Sequence, residues 1–230
     1  MHPWVRETIA RLTPMADPET ASAMQAYMRN QFEFIGIQSV PRRAAMKALL
    51  SSAQRPSINE LSTVINQLWQ LPEREYQMVA LDLLIAYKNR LPATILNDLQ
   101  RWLTTQSWWD TVDLLATHIA GELFTRYPAE SAPFLVHWRG SDNIWLRRTT
   151  LLFQLKYKAR TDDALLFSLI TDNQSDTEFF IQKAIGWALR EYSKTNPDAV
   201  THFIEQQNIQ GLAKREALKW LSKQKNQSWH

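Results

Sequence analysis

Trp109 and Asp113 stand four residues apart. On a helix that spacing puts both on one face, one turn from each other, so a flat indole lies beside a carboxylate. Two later stretches repeat the arrangement with other polar groups. Trp145 is followed three residues on by Arg148, and Trp187 has Lys183 four before it and Arg190 three after. A carboxylate kept among indoles and apolar neighbours (Val112, Leu114 and Leu115 flank Asp113) has few polar partners, which suits a reactive site. An arginine at the matching place suits a phosphate, because the guanidinium fork fits its oxygens.

Each group also has a plainer explanation. Asp113 could be a surface carboxylate or a capping partner. Arg147 and Arg148 could pair with acids of neighbouring helices. Trp187 could be a core residue with Lys183 and Arg190 snorkelling around it. Trp108 and Trp109 are adjacent, so on a helix they point about 100° apart. One is expected in the core and one exposed, and the spacing to Asp113 selects Trp109 as the exposed ring. Gly186, directly before Trp187, removes a side chain and permits close approach of another backbone. Lys156, Lys158 and Arg160 are expected to end a helix, where they could complement its dipole or touch a phosphate backbone.

The elements that must position these residues are helices. Only five glycines occur in 230 residues, too few for the turns of a large sheet protein. Asp17-Pro18-Glu19 is a cap followed by proline at the first helical position. Phe32 to Gln38 has a central glycine and reads as a loop, with the next helix starting at Pro41-Arg42-Arg43. Ser57-Ile58-Asn59-Glu60 fits a capping box before the apolar stripe Leu61, Val64, Ile65, Leu68. Leu71-Pro72, Leu91-Pro92, Tyr127-Pro128 and Asn196-Pro197 mark further boundaries. Helices are expected to begin near Glu73, Ser107, Asn143, Glu178 and Gly211, at intervals of 34, 36, 35 and 33 residues. Shorter, less aromatic helices lie between them. Ala184-Ile185-Gly186-Trp187 aligns loosely with Ala217-Leu218-Lys219-Trp220, 33 residues on. This periodicity predicts an all-α fold: a HEAT-like helical repeat array forming a curved superhelical solenoid, with residues 1–230 as a single domain. The aromatic–polar helices would line its concave face. Lys225 to His230 are expected to fray.

Composition narrows the function classes. With no cysteine there is no disulfide and no thiolate metal site, and a reducing cytoplasm is the natural expectation. The opening MHPWVRET lacks the apolar core of a signal peptide, and no run of about 18 apolar residues occurs to span a membrane. The histidines, His2, His118, His137, His202 and His230, show no metal-ligand spacing. No phosphate-cradling glycine loop, nucleophile elbow or kinase motif is present. A cofactor-free, metal-free mechanism or a pure binding role remains. Net charge is +3. Residues 1–142 hold 13 Lys+Arg against 14 Asp+Glu, and residues 143–230 hold 13 against 9, so the excess base lies in the second part. That hints at a polyanionic partner. Ten tryptophans exceed what a core of this size needs and leave some for a stacking surface.

SWWDTVD at 107–113, NIWLRRTTLLFQLKYK at 143–158 and FFIQKAIGWALREYSKTNP at 179–197 resemble the AlkD alkylpurine DNA glycosylases; MHPWV at the start, FIGIQ at 34–38 and LPEREYQ at 71–77 also fit. The resemblance covers nearly the whole chain. It implies a HEAT-like superhelix, acting as a monomer, that wraps duplex DNA and hydrolyses the N-glycosidic bond of cationic N3- and N7-alkylpurines such as 3-methyladenine and 7-methylguanine. It implies Asp113 supporting the chemistry, Trp109 and Trp187 lining the deoxyribose of the lesion, and Arg148 holding the backbone. Tyr27, Gln38, Lys156, Lys158, Lys183 and Arg190 fall in matching segments as DNA contacts. A cationic purine leaves without protonation, so one carboxylate can suffice where most glycosidases need two. A non-catalytic binder of damaged DNA and a protein-interaction scaffold are the other classes open to such a fold.

Overall fold

A computed structural model of the chain describes residues 1–51 and 53–227. It is all-α: among the described residues the only β feature is an isolated bridge between Glu33 and Glu73. Where the repeat period predicts a single domain of 1–230, the contacts group the chain into two compact units, residues 1–98 and residues 99–230.

The first unit holds α1 (Pro3–Leu12), α2 (Pro18–Tyr27), α3 (Ser39–Met46), α4 (Leu61–Trp69) and α5 (Arg74–Tyr87). Asp17 caps α2, its Oδ1 accepting from the backbone N–H groups of Glu19 at 3.1 Å and Thr20 at 3.3 Å, with Pro18 at the first position as expected. The stripe Leu61, Val64, Ile65, Leu68 is fully buried. At about 1.5–3 kcal/mol for each large aliphatic side chain removed from water, it is a main source of this unit's stability. The expected capping box is only half formed. Glu60 reaches back to the Ser57 N–H at 2.9 Å, but the Ser57 hydroxyl donates to that same carboxylate at 2.6 Å instead of capping the helix. The third helix begins at Ser39, two residues before the expected Pro41.

The loop before α3 is fixed from below. The buried Glu75 carboxylate accepts the N–H groups of Ile35, Gly36 and Ile37 at 3.0, 2.9 and 2.9 Å. Gly36 has φ +98°, and a Cβ there would lie 2.1 Å from the Asp17 carbonyl oxygen. Gly36→Ala therefore combines a strained backbone with a backbone clash. It is expected to cost this unit at least about 2–3 kcal/mol in chemical denaturation. A variant as stable as the parent would show that the loop can relax around a methyl group.

The second unit contains α7 (Trp109–Leu114), a π-helical segment (Leu115–Ala120), α8 (Gly121–Arg126), α9 (Pro128–Arg139), α10 (Ile144–Leu152), α11 (Asp163–Asn173), α12 (Phe179–Ser193), α13 (Pro197–Gln206) and α14 (Gly211–Gln227). One further helix, α6 (Ile95–Thr104), spans the division between the units. Pro128 and Pro197 open their helices, and Asn143 caps α10 through Trp145 and Leu146. Helix α10 packs against α7, α9, α11 and α12, and α12 against α13 and α14. The apolar stripe Ile181, Ala184, Ile185, Ala188, Leu189 faces that core.

Two expectations need correcting. Lys156, Lys158 and Arg160 do not end a helix: α10 stops at Leu152, and Lys158, with φ +54°, opens a 3-10 turn through Arg160. A left-handed residue cannot continue an α-helix. At the C-terminus, helix α14 continues through Lys225 to Gln227 rather than fraying there. Residues 228–230 lie outside the described residues.

Candidate active site

Asp113 lies on α7, four residues after Trp109, with the π-helical segment starting two residues later. Such segments cluster at functional sites, because the extra residue in the turn re-aims the side chains beyond it. The Thr117 hydroxyl donates to the Asp113 carbonyl at 2.7 Å inside this stretch. Further on, a Cβ at Gly121 would lie 2.6 Å from the Phe153 carbonyl oxygen. The bare glycine thus lets the end of α10 sit close against this helix.

Across that contact Arg148 meets Asp113 in a two-pronged ion pair, Nε to Oδ1 at 2.7 Å and Nη2 to Oδ2 at 2.9 Å. Its remaining nitrogen, Nη1, donates to the backbone carbonyl of Phe180 on α12. One guanidinium therefore joins α7, α10 and α12. The two partners are not equally hidden: the Arg148 side chain is 1% exposed and that of Asp113 21%. The carboxylate is the solvent-side end of the pair. Burial pushes the Asp113 carboxyl above its ordinary range, and the hydrogen bond and charge of Arg148 oppose that rise.

Arg148 is the residue expected to hold the DNA backbone. Its guanidinium is buried and engaged with Asp113 and Phe180, so the plainer alternative, pairing with a neighbouring acid, is the one realised. Arg147 likewise pairs with Asp176 at 2.6 Å.

Aromatic rings surround the pair. Trp187 carries the Arg148 guanidinium 5.2 Å from its ring centre and the Lys183 ammonium at 5.8 Å. Trp109 and Trp187 are both half-buried. Trp108, expected in the core, is also half-buried and precedes the first residue of α7. Its ring contacts Trp145 at 5.7 Å and Phe180 at 5.1 Å, and Trp145 contacts Phe180 at 5.0 Å. These three rings form a wall contributed by three helices. The Trp108 indole nitrogen is buried within it with no hydrogen-bond partner.

No protein with a curated description matches the chain. The model of a family described as DNA alkylation repair enzyme matches residues 8–221. The chain belongs to the DNA alkylation repair enzyme family. A solved structure described as a "Predicted DNA alkylation repair enzyme from Enterococcus faecalis" is similar to it at 37% identity, with 90% of this chain and 97% of that chain covered and a TM-score of 0.83.

In this member of the family the other sequence-selected residues divide between the two units. Tyr27 ends α2, 73% exposed, and Gln38, also exposed, comes after the loop that Glu75 holds. In the second unit the Lys156 ammonium lies 2.5 Å from Nε2 of His118, a residue of the π-helical segment. Lys158 is exposed in the 3-10 turn. Lys183 and Arg190 both reach Glu216 on α14. Sequence reasoning does not find Phe180, Glu75 or Glu216. Phe180 and Glu75 lie inside stretches that carry the family resemblance, whereas Glu216 has no local signal. Among the described residues no group of three or more His, Asp or Glu could hold a metal ion, and no helix is long and apolar enough to cross a membrane.

Proposed function

We propose that this repair enzyme hydrolyses the N-glycosidic bond of cationic N3- and N7-alkylpurines in duplex DNA, as a monomer in the cytoplasm and without metal or cofactor. The observation that carries the reading is the Asp113–Arg148 pair: a carboxylate gripped from behind by a buried guanidinium, its outer side open beside Trp109 and Trp187. As the cationic purine departs, positive charge shifts onto C1′ of the deoxyribose. The purine leaves neutral, so no acid has to protonate it. Asp113 stabilises the charge at C1′ through space and accepts a proton from the attacking water. The indole faces add cation–π attraction to the same sugar. Arg148 keeps the carboxylate ionised and fixes its plane, occupying one lone pair on each oxygen and leaving the others for water and sugar. Neutral purines are poor leaving groups, so selection comes from the substrate's own charge.

The deciding assay measures 3-methyladenine and 7-methylguanine released from methylated duplex DNA. Wild-type protein that binds duplex DNA and releases neither base would reject the enzyme reading and leave a damage-binding protein.

The same pair sets a pH profile. Catalysis needs the ionised carboxylate, and burial raises the pH at which Asp113 takes up a proton. The single-turnover rate is expected to fall on the acid side with a midpoint above 3.8, the ordinary aspartate value. The Asp113→Asn protein serves as the blank for acid depurination. A rate constant that stays flat down to that value would remove Asp113 from the rate-determining step.

A further inference from the structure

Glu216 is 3% exposed, yet three cations converge on it: Lys183 at 2.8 Å, Lys219 at 2.7 Å and Arg190 at 3.2 Å. Burial alone would raise its carboxyl. Hydrogen bonds and charge from Lys183 and Lys219 instead hold it down to about 2. It is therefore an anion throughout the neutral range.

The arrangement depends on one missing side chain. Lys183 and Arg190 stand on either side of Trp187 on α12, and a single carboxylate reaches both because α14 lies unusually close. A Cβ on Gly186 would sit 2.4 Å from Glu216 Cβ and 2.9 Å from the Ala213 carbonyl oxygen. Neutralising one carboxylate takes one cation, so the cluster has a surplus of two positive charges. The cations also keep an outer side: Lys183 is 24%, Arg190 32% and Lys219 54% exposed. An ammonium has three donors and a guanidinium five, so a bond to Glu216 leaves donors for a second acceptor.

We infer that Glu216 is a positioning residue: it adds Lys219 to Lys183 and Arg190, the expected DNA contacts beside Trp187, and holds the three cations as one phosphodiester-binding site before DNA arrives. The inference rests on the reading of Trp187 as a ring that faces the lesion sugar. Side chains already immobilised by Glu216 lose less freedom on meeting a phosphate. Holding two of them on either side of the indole sets the register of a phosphate against the sugar.

Glu216→Gln separates this role from bulk charge. It removes a negative charge, so net charge alone predicts tighter DNA binding. Positioning predicts the opposite: about tenfold weaker binding of an undamaged duplex, with a shallower dependence on salt. Lys219→Ala is the second variant, since Lys219 is the most exposed of the three. It is expected to lower the slope of log affinity against log salt by about 0.9. Thermal melting establishes that each variant is folded. A folded Glu216→Gln protein that binds DNA as tightly as wild type, or more tightly, overturns the inference. If that variant does not fold, an unchanged salt slope for Lys219→Ala overturns it and a reduced slope supports it. Wild-type protein that releases no alkylated base, while both binding effects hold, removes the glycosylase reading and leaves the clamp standing.

Discussion

Asp113→Asn lowers the single-turnover rate of alkylbase release by about 10²–10³-fold, equivalent to roughly 3–4 kcal/mol of transition-state stabilisation. Affinity for undamaged duplex stays close to wild type, because the lost group acts on charge that develops only during the reaction. The substitution changes almost no volume, so the aromatic wall of Trp108, Trp145 and Phe180 should keep its packing. It does change the pair. Arg148 presents Nε and Nη2 to two carboxylate oxygens. Asparagine answers one of them with an oxygen and sets an N–H₂ against the other. A buried donor left facing a donor costs about 1–3 kcal/mol, so some loss of stability should accompany the loss of rate. The measurement is release of 7-methylguanine from saturated enzyme, beside a denaturation curve. A rate within a few-fold of wild type would show that Asp113 is a structural partner of Arg148 and nothing more.

Arg148→Met should be the most destabilising of the changes considered. The arginine is 1% exposed and joins three helices, through Asp113 on α7 and the Phe180 carbonyl on α12. Removing one member of a buried pair leaves the other charge without compensation, at a cost of about 3–5 kcal/mol. The acid limb of the rate profile moves as well. Arg148 is what opposes the rise that burial imposes on Asp113. Without it the carboxyl protonates at higher pH, so activity falls off nearer neutrality. Arg148→Lys keeps the charge but loses the fork, because one ammonium cannot align with both oxygens and the Phe180 carbonyl together. Its stability should fall between wild type and Arg148→Met. Chemical denaturation and the pH dependence of base release test both statements. A profile unshifted in Arg148→Met would mean that Arg148 does not set the protonation of Asp113.

Helix ends marked by covalent chemistry are legible in the sequence. Pro18, Pro128 and Pro197 open helices where a missing N–H costs nothing, Asp17 and Asn196 cap the first and last of these, and Asn143 caps α10. The spacing of Trp109 to Asp113 is legible because a helix fixes it locally, and Gly186 because a bare residue beside a conspicuous indole implies close approach. Partner choice is not legible. Asp113 and Arg148 are 35 residues apart and Lys183 and Glu216 33 apart, each close to one repeat, but the period does not say which acid meets which base. Arg147, at 34 residues, fits the period as well, and packing alone selects Arg148. The π-helical turn at Leu115–Ala120 carries no glycine or proline to announce it; it runs directly into Gly121, which is seated against Phe153. The loop before Gln38 is evident from its central glycine, but the carboxylate that shapes it comes from Glu75, about 40 residues away.

The unequal exposure of Asp113 and Arg148 bears on how such a protein could search a genome. Together the two groups carry no net charge, and they form a dipole with its negative end toward solvent. The field of a dipole decays one power of distance faster than that of a lone ion, and dissolved salt shortens its reach further. A lone carboxylate would push away every phosphate that passed. The dipole is close to silent at the spacing of a passing backbone and strong only at contact, where, in the reaction proposed above, a sugar beginning to turn positive meets the outer oxygens. Intact duplex can therefore move across the site with little electrostatic drag, and the site responds to the one nucleotide whose bond is already prepared to break.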